Sequence, residues 1–211
     1  MSHAHQKIRI LAVDYHAILR EGVAALIGSE PDFELVAEAA TGAEAIEMHQ
    51  LHNPHVTLMD LALPDMGGVA VIQAIRARAP RARFVVLTTF RGDVQALRAL
   101  KAGATGYLLK SMLRKDLLET IRTVHAGGKY IPPEVSIDIA AHAAGEGLSE
   151  REIEVLTWVA EGSSNKVVAM RMGISEDTVK NHMRAILAKL GASDRTHAVT
   201  IAIRRGFLDL R

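Results

Sequence analysis

Asp14, Asp60, Thr88 and Lys110 each stand at the end of a short apolar run in the first 110 residues of this 211-residue sequence. Singly, each is ordinary: acids and hydroxyls are common in turns, and a lysine is usually a solvated cation. Together, a carboxylate nucleophile, a second acid, a hydroxyl and an ammonium are the groups needed to form and hold an acyl phosphate. A second chemistry is written between Ser175 and Leu190. Thr178, Lys180, Asn181, His182 and Arg184 lie there, with no acid after Asp177. These residue types bond phosphates and base edges, although a basic helix face is more often merely solvated.

Uniting the first four groups requires a scaffold that brings the ends of several runs to one edge. Strands are expected at about 8–13, 34–39, 56–59, 84–87 and 106–109. Amphipathic helices are expected at about 18–27, 42–51, 69–79, 93–102 and 113–126. Strict alternation of this kind predicts parallel strands with crossover helices, an α/β doubly wound sheet whose functional groups gather at the carboxyl ends of the strands. A second, all-α domain of four helices follows. Ser149 and Glu152 form a capping-box signature ahead of a helix that buries Ile153, Leu156, Val159 and Ala160 and stops at Gly162. A shorter helix at 165–172 turns at Gly173 and Ile174 into a helix capped by Ser175, with Glu176 and Asp177 in its first turn, where the macrodipole favours negative charge. Val179, Met183, Ile186, Leu187 and Leu190 recur at helical spacing and face inward, which leaves the basic set outside. A last helix is expected at 196–205. The order helix, tight turn, helix is the helix-turn-helix arrangement.

The segment 148–206 resembles the LuxR/NarL-type helix-turn-helix domain along its whole length. The resemblance implies a major-groove helix at 178–190, with Lys180, Asn181 and Arg184 as the first candidates for contact with double-stranded DNA and Thr178 and His182 as secondary ones. It also implies a dimer contact through the last helix. The segment 7–127 resembles the receiver domain of two-component response regulators, on the motifs ILAVDYH, VTLMDLALPDMGG, VVLTTF and AGATGYLLK. The chain is therefore similar to a NarL/FixJ-type response regulator, with a five-stranded flavodoxin-like receiver at 1–127, a linker at 128–147 and the DNA-binding domain at 148–211. By that resemblance Asp60 accepts a phosphoryl group from a sensor histidine kinase or a small donor such as acetyl phosphate. Thr88 bonds the new phosphoryl oxygens, Lys110 pairs with them, and Tyr107 is the aromatic that reorients on switching. Asp14, Asp60 and the carbonyl of Ala62 are the magnesium ligands it implies, with residues 64–68 shaping the loop. DNA, the kinase, RNA polymerase and a second copy of the chain are the partners it implies.

One residue departs from the family pattern. Receivers place two acids side by side after the first strand, and here Asp14 is followed by Tyr15. A phenol titrates near 10 and is a poor ligand for a hard cation that prefers carboxylate oxygen. Magnesium affinity and the phosphoryl-transfer rate are expected to fall. The alternative reading is an atypical receiver that regulates DNA binding without phosphorylation. A phosphatase built on Asp60 is disfavoured, because the position two residues on, where such enzymes place a general acid, is Ala62.

Composition sets the remaining bounds. There is no cysteine, so disulfides and thiolate metal sites are excluded. The start has no apolar signal region and no apolar run approaches membrane length, so a soluble cytoplasmic protein is expected. The net charge of +1 averages over unlike surfaces and decides nothing about partners. His49, His52 and His55 recur every third residue, but Pro54 interrupts the run and no acid or cysteine completes a ligand set.

Overall fold

The computed structural model describes residues 7–89, 92–142 and 147–208. His3 and His5 and the linker residues Ala143, Ala144 and Gly145 lie outside the described residues. The chain divides into two compact units, with a break between Ser136 and Ile137.

The first unit is a five-stranded parallel sheet wound on both faces by helices. Its elements are β1 (Ile8–Val13), α1 (Ala17–Gly28), β2 (Phe33–Ala39), α2 (Gly42–His52), β3 (Val56–Asp60), α3 (Gly68–Arg78), β4 (Phe84–Thr88), α4 (Asp93–Ala102), β5 (Gly106–Leu109) and α5 (Leu113–His125). The strand order is β2-β1-β3-β4-β5, so the winding direction reverses between β1 and β3. That reversal opens a crevice at the carboxyl ends of those two strands, the place where doubly wound sheets bind ligands. Strands β3, β4 and β5 are buried throughout, as expected of parallel strands covered on both faces. Ile10, Ala12, Val56, Leu58, Val85, Leu87 and Leu108 pack against Leu117, Ile121 and Val124 of α5 in one core. The chain after α5 is more ordered than a plain linker. The amide of Tyr107 donates to the Tyr130 carbonyl at 2.8 Å, and the amide of Tyr130 donates to the Thr105 carbonyl at 3.0 Å, which covers the outer edge of β5. A further helix, α6 (Pro133–His142), follows.

The second unit holds α7 (Glu150–Ala160), α8 (Asn165–Met172), α9 (Glu176–Leu190) and α10 (Arg195–Arg205). Gly173 closes α8 in the left-handed conformation, φ 64°, which lets the chain turn sharply into α9. The buried stripe of α7 is Glu152, Val155, Leu156 and Val159, whereas Ala160 is exposed and Ile153 half-buried. The expected stripe was rotated because it had no place for an inward acid. The Glu152 carboxylate accepts from the Ser149 amide at 2.7 Å and from Lys189 Nζ at 2.9 Å, so one side chain caps α7 and ties it to the last turn of α9. Burial works to raise the pKa of Glu152, but the Ser149 amide and Lys189 outweigh it and hold the carboxyl below its ordinary value. A lowered native pKa supplies stability above the ordinary 4.5 that is lost as pH falls through the native value. Glu152→Ala is expected to cost about 1–2 kcal/mol at pH 7, most of it the lost cap, and to make the unit's stability less sensitive to acid. Urea titrations followed by Trp158, the single tryptophan, read this unit alone.

Among the described residues, no helix is long and apolar enough to cross a membrane.

Candidate functional site

Strand register brings the polar strand ends together. Val13 pairs with Met59, Asp60 with Leu87 and Thr88 with Leu109, so Asp14, Asp60 and Thr88 emerge at one edge of the sheet, with Lys110 just beyond β5. Asp60 and Thr88 are the last residues of their strands rather than the first of the following loops. All three are buried: Asp14 is 3%, Asp60 2% and Thr88 3% exposed.

Lys110 sits between the two acids. Its Nζ donates to Asp60 Oδ2 at 2.8 Å and lies 2.7 Å from Asp14 Oδ2. The second contact is an ion pair without hydrogen-bond alignment, so Asp14 Oδ2 is buried with acceptor capacity to spare. Burial pushes the Asp60 carboxyl above its ordinary value, and the Asp14 charge adds to this, while Lys110 and the Ala62 amide, 3.2 Å from Oδ1, oppose it. Tyr107 is fully buried on β5; burial raises its phenol and a hydrogen bond with Thr88 works the other way.

One residue of the pocket was not singled out from the sequence. His16 donates its amide to Asp14 Oδ1 at 2.8 Å, and its ring Nδ1 lies 3.1 Å from the same oxygen. Asp14, His16 and Asp60 each present a ligand atom, and these atoms lie within 4.8 Å of one another. Tyr15 points away, 56% exposed, with its ring edge-on to that of His16. Two histidines of the 49–55 run are separately engaged: His49 is buried and stacked on Phe84, and His55 Nδ1 accepts from the Arg9 amide.

In the second unit, Val179, Met183 and Ile186 of α9 are buried, with Leu187 and Leu190 packed against the same core. Lys180, Asn181 and Arg184 are exposed on the opposite face, and Thr178 and His182 are half-buried at its border. The cations are already held: Lys180 pairs with Asp177 at 3.1 Å and with Glu176 at 3.7 Å, and Arg184 donates to Asn181 Oδ1 at 2.8 Å. Arg151 of α7 donates to the Met172 carbonyl at the end of α8, which fixes the turn ahead of α9.

Residues 10–122 match the response regulator receiver domain, and residues 146–202 match the bacterial regulatory proteins of the luxR family. The chain is a LuxR-family response regulator. It is similar to the transcriptional regulatory protein DegU of Brevibacillus brevis, 35% identical with 97% of each chain covered. It is also similar to the response regulator protein VraR of Staphylococcus aureus, 36% identical over 95% of this chain and 99% of that one. A LuxR-family response regulator from an Aurantimonas species shares 36% identity, covering 65% of this chain and 99% of its own, with a TM-score of 0.62. RcsB from Salmonella enterica, solved bound to a promoter, is 24% identical with a TM-score of 0.73 over 93% of this chain and 98% of its own, a likeness of fold. As a response regulator of this family, the chain is a two-component transcriptional regulator with a receiver and a LuxR-type DNA-binding domain, and not an enzyme.

Proposed function

We propose that residues 1–127 form a receiver phosphorylated on Asp60, and that this controls binding of residues 148–211 to double-stranded DNA, with residues 128–147 as the link. The observation that carries this reading is the Lys110 ammonium held within 2.8 Å of both buried carboxylates. In the transfer, an Asp60 carboxylate oxygen bonds to the phosphorus of a histidine kinase's phosphoimidazole or of acetyl phosphate, and the donor's P–N or P–O bond breaks. The new group brings about −1.5 to −2 charge and three acceptor oxygens. Lys110 exchanges its carboxylate contact for a phosphoryl one, and the Thr88 hydroxyl offers the nearby donor. Thr88 is hydrogen-bonded to Tyr107, so capturing the phosphoryl group with Thr88 frees the buried phenol to reorient. Asp14 and Asp60, with the carbonyl of Ala62, are the groups that would hold magnesium. When bound, the ion offsets repulsion between the carboxylate and the incoming phosphate. The absence of an acid at Tyr15 makes that affinity low.

The activated form is read as a homodimer in the cytoplasm that presents α9 to the major groove and engages RNA polymerase. Thr178, Lys180, Asn181, His182 and Arg184 are the proposed contacts. The exposed phenol in place of an acid specifically favours the alternative, a receiver that governs DNA binding without phosphorylation. Intact mass after incubation with acetyl phosphate and a divalent cation decides between them: a single phosphoryl adduct is expected in the wild type and none in Asp60→Asn. An adduct that persists in Asp60→Asn removes Asp60 from this role, and an unmodified wild type leaves the alternative standing.

Binding to DNA makes its own prediction. Lys180→Ala and Arg184→Ala are each expected to weaken operator affinity and, where the contact is to phosphate, to lower the slope of log K against log salt by about one unit. Filter-binding titrations across a salt series check this. Wild-type affinity and slope in both variants would show that α9 does not dock by this face.

A further inference from the structure

The departure from the family pattern bears on which cation suits the pocket. Where a third carboxylate would stand, this chain has an outward-facing phenol, and the imidazole of the next residue, its side chain 64% exposed, lies against Asp14 on the solvent side of the pocket. Lys110 engages the Oδ2 atoms of Asp14 and Asp60, so Asp14 Oδ1 is left on the side of His16. His16 Nδ1 and Asp14 Oδ1 lie 3.1 Å apart. Two ligand atoms bonded at right angles to one ion, at about 2.1 Å each, stand about 3.0 Å from one another. The pair is thus already spaced as neighbouring ligands. The imidazole is oriented rather than free: the His16 amide is anchored on the same carboxylate at 2.8 Å, and the Tyr15 ring lies edge-on at 5.5 Å. Asp60 completes the set from the next strand.

Magnesium takes oxygen ligands and dehydrates reluctantly, whereas imidazole with carboxylate suits first-row ions toward the zinc end of the series. We propose that Asp14, His16 and Asp60 form a site for a first-row transition ion of the Co2+ or Zn2+ type, in preference to magnesium, with His16 as the ligand that replaces the absent acid. The inference rests on reading this pocket as the receiver's phosphorylation site, and it names the cation which that site selects.

Full-length protein stripped of metal is titrated with Co2+, followed by its ligand-field absorption, and with Mg2+ by calorimetry. Co2+ is expected to bind on the order of 100-fold more tightly than Mg2+. His16→Ala should lower the Co2+ affinity about 10- to 100-fold and leave Mg2+ binding nearly unchanged, while Tyr15→Asp should strengthen Mg2+ and narrow the preference. Binding that persists in Asp60→Asn is subtracted as background from imidazoles outside the pocket. Unchanged pocket-specific Co2+ affinity in His16→Ala, or Mg2+ bound as tightly as Co2+, overturns the proposal. The mass measurement separates it from the phosphoacceptor reading: His16-dependent Co2+ binding with no adduct keeps the metal site and removes that reading. A magnesium-supported adduct with Co2+ binding indifferent to His16 does the reverse.

Discussion

Lys110→Met is expected to destabilise the receiver by about 3–5 kcal/mol near neutral pH, the cost of leaving buried charge without its partner. Asp14 and Asp60 have side chains 4% and 3% exposed, and Lys110 Nζ lies within 2.8 Å of both. Methionine fills much of the same volume, so lost packing contributes little and the change isolates the charge. Calorimetry of the whole chain in chelator should show the receiver transition displaced, while the Trp158 fluorescence transition of the helical unit stays in place. The double variant Lys110→Met, Asp60→Asn should recover most of the loss, because one carboxylate alone no longer repels a like neighbour. A loss under about 1 kcal/mol would put the lysine in the range of ordinary exposed pairs and undo its assignment as the pocket's structural cation.

The same variant carries a pH signature whose sign is fixed. Asp60 already titrates above its ordinary 3.8, chiefly because burial disfavours its charged form. An acid with a raised native pKa binds its proton more tightly when folded. Its contribution to stability therefore declines as pH rises from 3.8 to the native value and is level beyond it. Removing Lys110 takes away the main opposing influence and raises that value further. The deficit of Lys110→Met should accordingly be largest at pH 7–8 and shrink as the solution is acidified and Asp60 takes up a proton. A deficit that grew on acidification would contradict the buried-pair account.

The strands were legible because parallel strands covered on both faces are short continuous apolar runs, and each lies within a residue or so of its expected place. The four groups at the strand ends were legible for the same reason: wherever a run ended in a polar residue, the sheet edge followed. What the sequence did not disclose depends on distances between remote residues. Glu152 reads as a capping acid, yet its carboxylate also meets Lys189, 37 residues away, and this turns it inward and rotates the α7 stripe off Ala160. Tyr130 reads as part of a linker but pairs beside β5. His16 carries a local signal in the sequence, its place two residues after Asp14. An Asp whose side chain accepts the amide two residues on is a common turn, and it brings the side chain at that second position back over the carboxylate.

With Asp60 as the phosphoacceptor proposed above, Gly68→Ala is expected to slow its phosphorylation by about 100-fold, the scale of loss that follows a displacement of about 1 Å at a reacting group. Gly68 opens α3, and its amide donates to the Leu61 carbonyl at 3.0 Å, which closes the loop that follows Asp60. A methyl group built there overlaps the Asp60 carbonyl oxygen and falls 2.8 Å from Leu61 Cα. Both are backbone atoms, so no rotamer change can relieve the clash. The backbone of Asp60 to Ala62 must shift, carrying the Asp60 carboxylate and the amide that holds its Oδ1. Overpacking of this kind costs about 1–3 kcal/mol, too little to unfold a domain of ordinary stability, so the rate can be read on folded protein. Gly67→Ala is the matched control, since a methyl group there meets nothing within 4 Å. Equal adduct rates for the two alanine variants would mean that the loop yields without moving Asp60, and that the carboxylate is positioned by Lys110 and the sheet alone.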